Sequence, residues 1–274
     1  MKTVVSSFLH NRSKSSCTKR QTSTNSIEMA AARTVVLITG ANQGLGFECV
    51  KKLCAEQPDY HILMGARDLA KGEAAVKTVT DFAEDASVEV VEIDVTSDPS
   101  IEKAAKFVEK KFGKLDVLFN NAGVIRTGKQ QAFRQEFQEV LDINTVSPAC
   151  VTMAFAPLLQ KSDHPRLIFM SSGLGSITLT LMPISPWYGM APVPTYAASK
   201  AAVNMVGAFF TQKYTKDGFR INMIDPGHRQ TALNGFNPKG GKASEGALEA
   251  CRIITQGKNG QHGTFTSLES ILPW

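Results

Sequence analysis

From Thr34 onward, short runs of consecutive apolar residues alternate with longer stretches whose apolar positions recur every three or four residues. The first run, "TVVLIT", is unbroken and β-branched, the pattern of a strand covered on both faces. "GLGFECVKKLCAEQ" follows with Leu45, Cys49 and Leu53 at helical spacing. "HILMGA" predicts a second strand and "LAKGEAAVKTVTDF", residues 69–82, a second helix. "SVEVVEIDV" is a third strand. Asp98 and Pro99 then open the helix "SIEKAAKFVEKKF", because proline is tolerated in a first helical turn. "LDVLFNNAG" reads as a fourth strand running into a turn. One long helical stretch is predicted from Gln131 to Leu159, with Pro148 and Pro157 as kinks or ends. "RLIFMSS" and "RINMIDPG" are the fifth and sixth strands, separated by an alanine-rich helix that includes "PTYAASKAAV".

Strands alternating with helices of this length predict βαβ units. The expected fold is α/β: a single-domain, doubly wound (Rossmann-type) parallel sheet flanked by helices. No internal repeat and no linker divides the chain after residue 30, so residues 31–274 are expected to form one domain.

Charge changes the picture mainly at the beginning. Residues Met1–Glu28 carry Lys2, Arg12, Lys14, Lys19 and Arg20 against the single acid Glu28, and are rich in Ser and Thr. That composition fits a disordered tail, with an organellar transit peptide as the alternative. Met29 also offers a second start just before the folded sequence. The remainder is close to neutral, so the body has no basic nucleic-acid footprint. No apolar run approaches the ~20 residues that span a bilayer. Five cysteines without C-x-x-C fit free thiols in a reducing compartment, and the five scattered histidines lack metal-ligand spacing. The expected location is cytoplasmic, or mitochondrial if residues 1–28 act as a transit peptide.

Two stretches carry chemistry. "TGANQGLG" places Gly40, Gly44 and Gly46 between the first strand and its helix, where close backbone approach and a helix N-terminus suit a pyrophosphate. In "YAASK", Tyr196 and Lys200 stand four apart on one helical face. A cation there stabilises the phenolate and lowers a tyrosine pKa that is otherwise near ~10.

The glycine spacing is G-x-x-x-G-x-G. With it come "NNAG" (120–123), Ser172 and Gly175 as S-x-x-G, "YAASK", and "DPGHRQT" after the sixth strand. In these five motifs the chain resembles the short-chain dehydrogenase/reductases, from about Thr34 to the end. The resemblance implies that Tyr196 is the general acid or base, and that Lys200 tunes it and holds the nicotinamide ribose. It implies that Ser172, with Ser171 as competitor, binds the substrate oxygen. Asn144, in "LDINT", would hold a proton-relay water. The cofactor would be held by Gly40, Asn42, Gly44, Leu45, Gly46, Asp94, Val95, Asn121, Tyr196, Lys200, Pro226, Gly227 and Thr231. Asp94 would contact the adenine and Thr231 the carboxamide. In "MGARD", Arg67 resembles the reader of a 2′-phosphate, so NADPH is expected ahead of NADH, although Gln43 stands where such enzymes often carry a second basic residue.

Residues 173–195 make the gap between Ser172 and Tyr196 about twice the family's usual length. This insertion carries Pro183, Pro186, Pro192 and Pro194 with Trp187, Tyr188 and Met190, and suggests a wall for a hydrophobic carbonyl substrate. It resembles the lengthened segment of carbonyl reductases, as do "SEGALEA" and the terminal "GTFTSLESILPW". Monomer and homo-oligomer both stay open. The expected function is NADPH-dependent reduction of a small, fairly apolar aldehyde or ketone, or the reverse oxidation. A catalytically silent NADP(H)-binding regulator is the alternative. An isomerase or dehydratase on an extended version of the fold is disfavoured by the short stretch after Gly227.

Overall fold

The computed structural model describes residues 33–125, 132–185, 188 and 193–274. The expectations for residues 1–28, and for Pro186, Trp187, Met190 and Pro192, lie outside the described residues. From Arg33 to Trp274 the chain forms one compact unit. Among the described residues no helix is long and apolar enough to cross a membrane.

Strands and helices alternate in the order read from the sequence. They are β1 (Thr34–Ile38), α1 (Gly44–Glu56), β2 (Tyr60–Ala66), α2 (Leu69–Val76), β3 (Ser87–Glu92), α3 (Asp98–Phe112) and β4 (Val117–Asn120). Then come α4 (Phe133–Leu141), α5 (Ser147–Leu159), β5 (Arg166–Met170), α6 (Ile177–Leu181), α7 (Pro194–Tyr214), β6 (Arg220–Ile224), α8 (Ala243–Ile254) and β7 (Thr264–Thr266). The strands pair in parallel in the order β3-β2-β1-β4-β5-β6-β7. Strand order reverses between β1 and β4, and the crevice beyond such a reversal is where doubly wound sheets bind ligands.

The unbroken apolar run of β1 has a direct cause. Val35 and Leu37 join a core cluster containing Ile101, Phe155 and Phe210, from α3, α5 and α7. Val36 and Ile38 face the opposite layer, with Cys49 and Val50 of α1 and Ala247 and Ile253 of α8. Successive side chains point to opposite faces, and both faces are covered, so no position is free to be polar.

Four expectations need correction. The helix predicted over 69–82 ends at Val76. There Thr78 and Val79 close tighter three-residue bonds to Ala75 and Val76, and the Ala83 amide is drawn to Cys54 O of α1. The third strand stops at Glu92, because the Asp94 amide turns to Ser100 Oγ at 2.9 Å. The long helix expected over 131–159 is broken by a π turn at Asp142–Val146, while Pro157 lies inside α5 without ending it. Pro148 has no N–H to close an α-helical bond onto Asn144, and the Ser147 amide instead reaches back five residues to Asp142 O. Finally, β7 extends the sheet beyond the six predicted strands; at three residues it is too short to show a period.

Candidate active site

Of the residues predicted to bind a nucleotide, Gly40, Asn42, Gly44, Gly46 and Asn121 follow the C-terminal ends of β1 and β4. Gly40 and Gly44 both adopt positive φ, 61° and 59°, a region that penalises any residue with a Cβ. A Cβ at Gly40 would lie 3.0 Å from Ala122 Cα, so the turn hugs the end of β4. Asn121 stitches the two together: its Nδ2 donates to Thr39 O (2.8 Å) and Gly40 O (3.2 Å). The Thr39 hydroxyl accepts the amides of Asn121 and Ala122, both at 3.0 Å. No side chain caps α1 and no acid lies in its first turn, which suits the approach of an anion to the helix N-terminus. The Leu45 side chain turns away toward Gly246 of α8, so only its backbone faces this turn. Thr231 is nearly buried, and its Cβ lies 3.9 Å from where a Gly44 Cβ would stand. The loop after β6, with Gly227 at φ 71°, therefore closes over the glycine turn. Val95 lines a crevice with Thr39, Asn120 and Ala122.

At the end of β2, Arg67 is exposed and its charge helps hold the Asp94 carboxyl below its usual range, after the hydrogen bonds from Thr96. The neighbouring Asp68 caps α2, accepting the Lys71 amide at 3.0 Å. One oxygen of its carboxylate is thereby engaged by its own helix, while Arg67 stands exposed beside it.

The second cluster lies where β5, the π turn and α7 meet. Tyr196 and Lys200 are both buried, at 9% and 3% exposure. The Lys200 ammonium sits 5.5 Å from the Tyr196 ring centroid and donates to Met170 O at 2.8 Å. Ser172 accepts the Leu174 amide at 3.3 Å and lies close enough to the Tyr196 phenol to oppose its upward shift. Ser171 points the other way, donating to Asn204 Oδ1 at 2.6 Å in the core. Of the two serines, Ser172 is the one that lies on the Tyr196 side. A Cβ at Gly123 would stand 3.1 Å from Asn144 Oδ1 and 3.7 Å from Lys200 Nζ, so "NNAG" ends against both side chains.

Asn144 is buried and fully engaged. Its Oδ1 accepts the Val124 amide at 2.8 Å, and its Nδ2 donates to Val124 O (2.9 Å) and Ser199 Oγ (3.0 Å). Both of its side-chain N–H groups are thus spent on protein, while Pro148, with no N–H, gives no helical bond to the Asn144 main-chain carbonyl.

The electrostatics also depart from expectation. Burial, and after it the Asp225 carboxylate, push the Tyr196 phenol well above its ordinary range, opposed by the hydrogen bond from Ser172. Lys200 is not among the groups that move the phenol, since its ammonium lies over the ring and spends a bond on Met170. Burial pushes Lys200 itself down to about 8. Asp225 is raised by its own burial, opposed by the amides of Gly227 and Gly173 and the charge of Arg229. Its carboxylate thereby ties the loop carrying Ser172 to the loop carrying Pro226 and Gly227. Asp225 and Ser199, whose hydroxyl donates to Tyr196 O at 2.7 Å, were not singled out from sequence. The acid immediately before "PG" and the serine inside "YAASK" were the available signals.

The glycine turn thus stands beside the β1–β4 crevice, and Ser172 clusters with the buried Tyr196 and Lys200 at the end of β5. The family profile "short chain dehydrogenase" matches residues 34–240. The short-chain dehydrogenase/reductase ATR10 of Stachybotrys chlorohalonatus is 33% identical over 269 residues, covering 89% of this chain and 95% of that one. Salutaridine reductase of Papaver somniferum superposes with a TM-score of 0.69 at 25% identity, over 85% of this chain and 99% of its own. NADPH-bound carbonyl reductase from chicken fatty liver superposes at 0.73 over 89% and 99%; at 24% identity that likeness speaks for the fold alone. With the parallel sheet, the five motifs in place and a profile spanning most of the chain, this protein belongs to the short-chain dehydrogenase/reductase family of oxidoreductases.

Proposed function

We propose that the protein reduces the carbonyl of a small, fairly apolar aldehyde or ketone with NADPH, and can run the reverse oxidation. The carrying observation is that Ser172 and Lys200 both lie beside the buried Tyr196, Ser172 on the side of its phenol and the Lys200 ammonium 5.5 Å from its ring centroid. When bound, the nucleotide would supply or accept the hydride. Gly40, Asn42, Gly44, Gly46 and Asn121 would hold its pyrophosphate side, Asp94 and Val95 its adenine, and Pro226, Gly227 and Thr231 its carboxamide. Lys200 would hold the ribose. Ser172 orients the substrate oxygen, and Tyr196 delivers a proton to it as negative charge develops. Donors already in place stabilise that charge without reorganisation, and proton transfer from a positioned acid typically contributes ~10²–10⁴-fold. A phenol held protonated at neutral pH suits the reductive direction.

Arg67 supports NADPH over NADH. It is exposed at the end of β2, and the neighbouring Asp68 gives one carboxylate oxygen to the α2 cap. The test is titration of the full chain with NADPH and NADH by fluorescence, followed by NADPH oxidation against aromatic aldehydes, quinones and ketones. NADPH binding with turnover on an apolar carbonyl is expected. Binding with no turnover would favour the silent regulator, and binding of neither nucleotide would overturn both readings.

A further inference from the structure

The five-residue helix α6 buries none of its own side chains. An isolated helix that short is unstable in water, so something outside it must hold it. What holds it is the segment Ile271–Trp274. Ser176 is fully buried. Its hydroxyl accepts the Leu179 amide at 3.0 Å, capping α6, and donates to Pro273 O at 2.8 Å. The Thr178 amide donates to the Trp274 main-chain oxygen at 2.9 Å. The segment is itself secured to the sheet. The Trp274 ring stacks on Phe265 of β7, centroids 5.7 Å apart. The Leu272 amide donates to Phe265 O at 2.7 Å, and its side chain packs on the core.

At its other end α6 is tied to the chemistry. Only the turn Gly173–Gly175 separates Ser172 from Ser176. A Cβ at Gly175 would lie 2.7 Å from the Lys200 carbonyl carbon, so this turn lies directly against α7. Ile177 and Leu181, one helical turn apart, are 64% and 70% exposed. An apolar pair left in water on a helix fixed from behind marks a surface meant to be covered. The group that must come close to Ser172 is the substrate.

We propose that Ile271–Trp274 is a strap that holds α6 beside Ser172 as the apolar wall of the substrate site, with Ser176 and Trp274 as positioning residues. The proposal rests on the reductase reading above, and its substrate is the apolar body of the carbonyl compound. Among the described residues, the side-chain hydrogen bonds of Ser176 go to Leu179 and Pro273 and the Trp274 ring stacks on Phe265, none of them a nucleotide residue, Tyr196 or Lys200. Loosening these anchors costs substrate affinity and leaves the proton-transfer groups in place.

The test uses the full chain with Trp274→Ala and Ser176→Ala, and Trp274→Phe as the conservative control. Amide hydrogen exchange at Thr178–Leu181 should quicken roughly tenfold in both alanine variants. NADPH affinity should stay within about twofold, while KM for an apolar aldehyde rises about fivefold and kcat changes little. Trp274→Phe, which keeps a stacking ring, should recover most of KM. Unchanged exchange in Trp274→Ala would remove the strap. Faster exchange with unchanged KM, or Ile177→Ser with Leu181→Ser altering self-association but not KM, would remove the wall. A wild-type enzyme that turns over no carbonyl would remove the reductase reading and the wall with it, while the exchange result alone would still decide the strap.

Discussion

Lys200 places its ammonium 5.5 Å from the centre of the Tyr196 ring and gives a hydrogen bond to Met170 O. Burial holds that ammonium at about 8 against an ordinary 10.5. The unfolded chain therefore binds more protons than the folded one between these values, and stability rises with pH across the window. The shift corresponds to about 3 kcal/mol. Lys200→Met removes it, so wild type should gain about 3 kcal/mol relative to the variant between pH 7 and 10.5, read by urea unfolding. Parallel pH dependence in the two proteins would refute the buried charge. Turnover by the variant should be lost.

Tyr196→Phe removes one oxygen and its proton from an otherwise buried ring. Turnover should fall by ~10²–10⁴-fold or more, while the fluorescence titration with NADPH stays nearly unchanged. Retained turnover would sink the assignment of the proton donor.

Asp225 is the acid that, after burial, keeps the Tyr196 phenol protonated. Oxidation of an alcohol needs the phenolate, so its rate should climb with pH. Asp225→Asn takes away the opposing charge and leaves a side chain able to accept an amide. The rising limb of the oxidation profile should move to lower pH, with reduction at neutral pH much less affected. Lys200, Ser172 and Asp225 face the phenol, and Arg229 faces Asp225. An unmoved profile would show that Asp225 only ties its two glycine amides.

Arg67→Ala should weaken NADPH far more than NADH, by roughly the 1.5–3 kcal/mol of a charge-assisted bond. Asp68→Ala should cost about 1 kcal/mol of stability through the lost α2 cap and leave nucleotide preference alone. Equal loss of both nucleotides in the first variant would mean that Arg67 does not read the phosphate.

Asn144→Ala strips partners from the Val124 amide, Val124 O and Ser199 Oγ together. Leaving such groups unpaired in a buried place costs about 1–3 kcal/mol each at most, and a loss of about 2–4 kcal/mol in thermal or urea unfolding is expected. An unaffected melting curve would show that the π turn holds the loop after β4 without this side chain.

The sequence by itself determined what short-range physics writes. Successive residues of β1 had to be apolar because both faces are covered, and "TVVLIT" says so without any partner in view. Tyr196 and Lys200 share a helical face because 3.6 residues make a turn, and the positive-φ turn at Gly40 and Gly44 is written in the glycines themselves. Tertiary structure decided whatever depends on residues far apart in the chain. Ser172 is marked by its S-x-x-G spacing, but that Ser171 turns to Asn204 of α7 is decided only by packing. The side-chain bonds of Asn144 were set by Val124, twenty residues away, and by Ser199. The raised phenol of Tyr196 came from its burial and from Asp225 just beyond β6, and α6 is tied to Trp274. Periodicity reports which side of an element is buried; which side chains then meet is fixed only when the crossovers bring distant elements together.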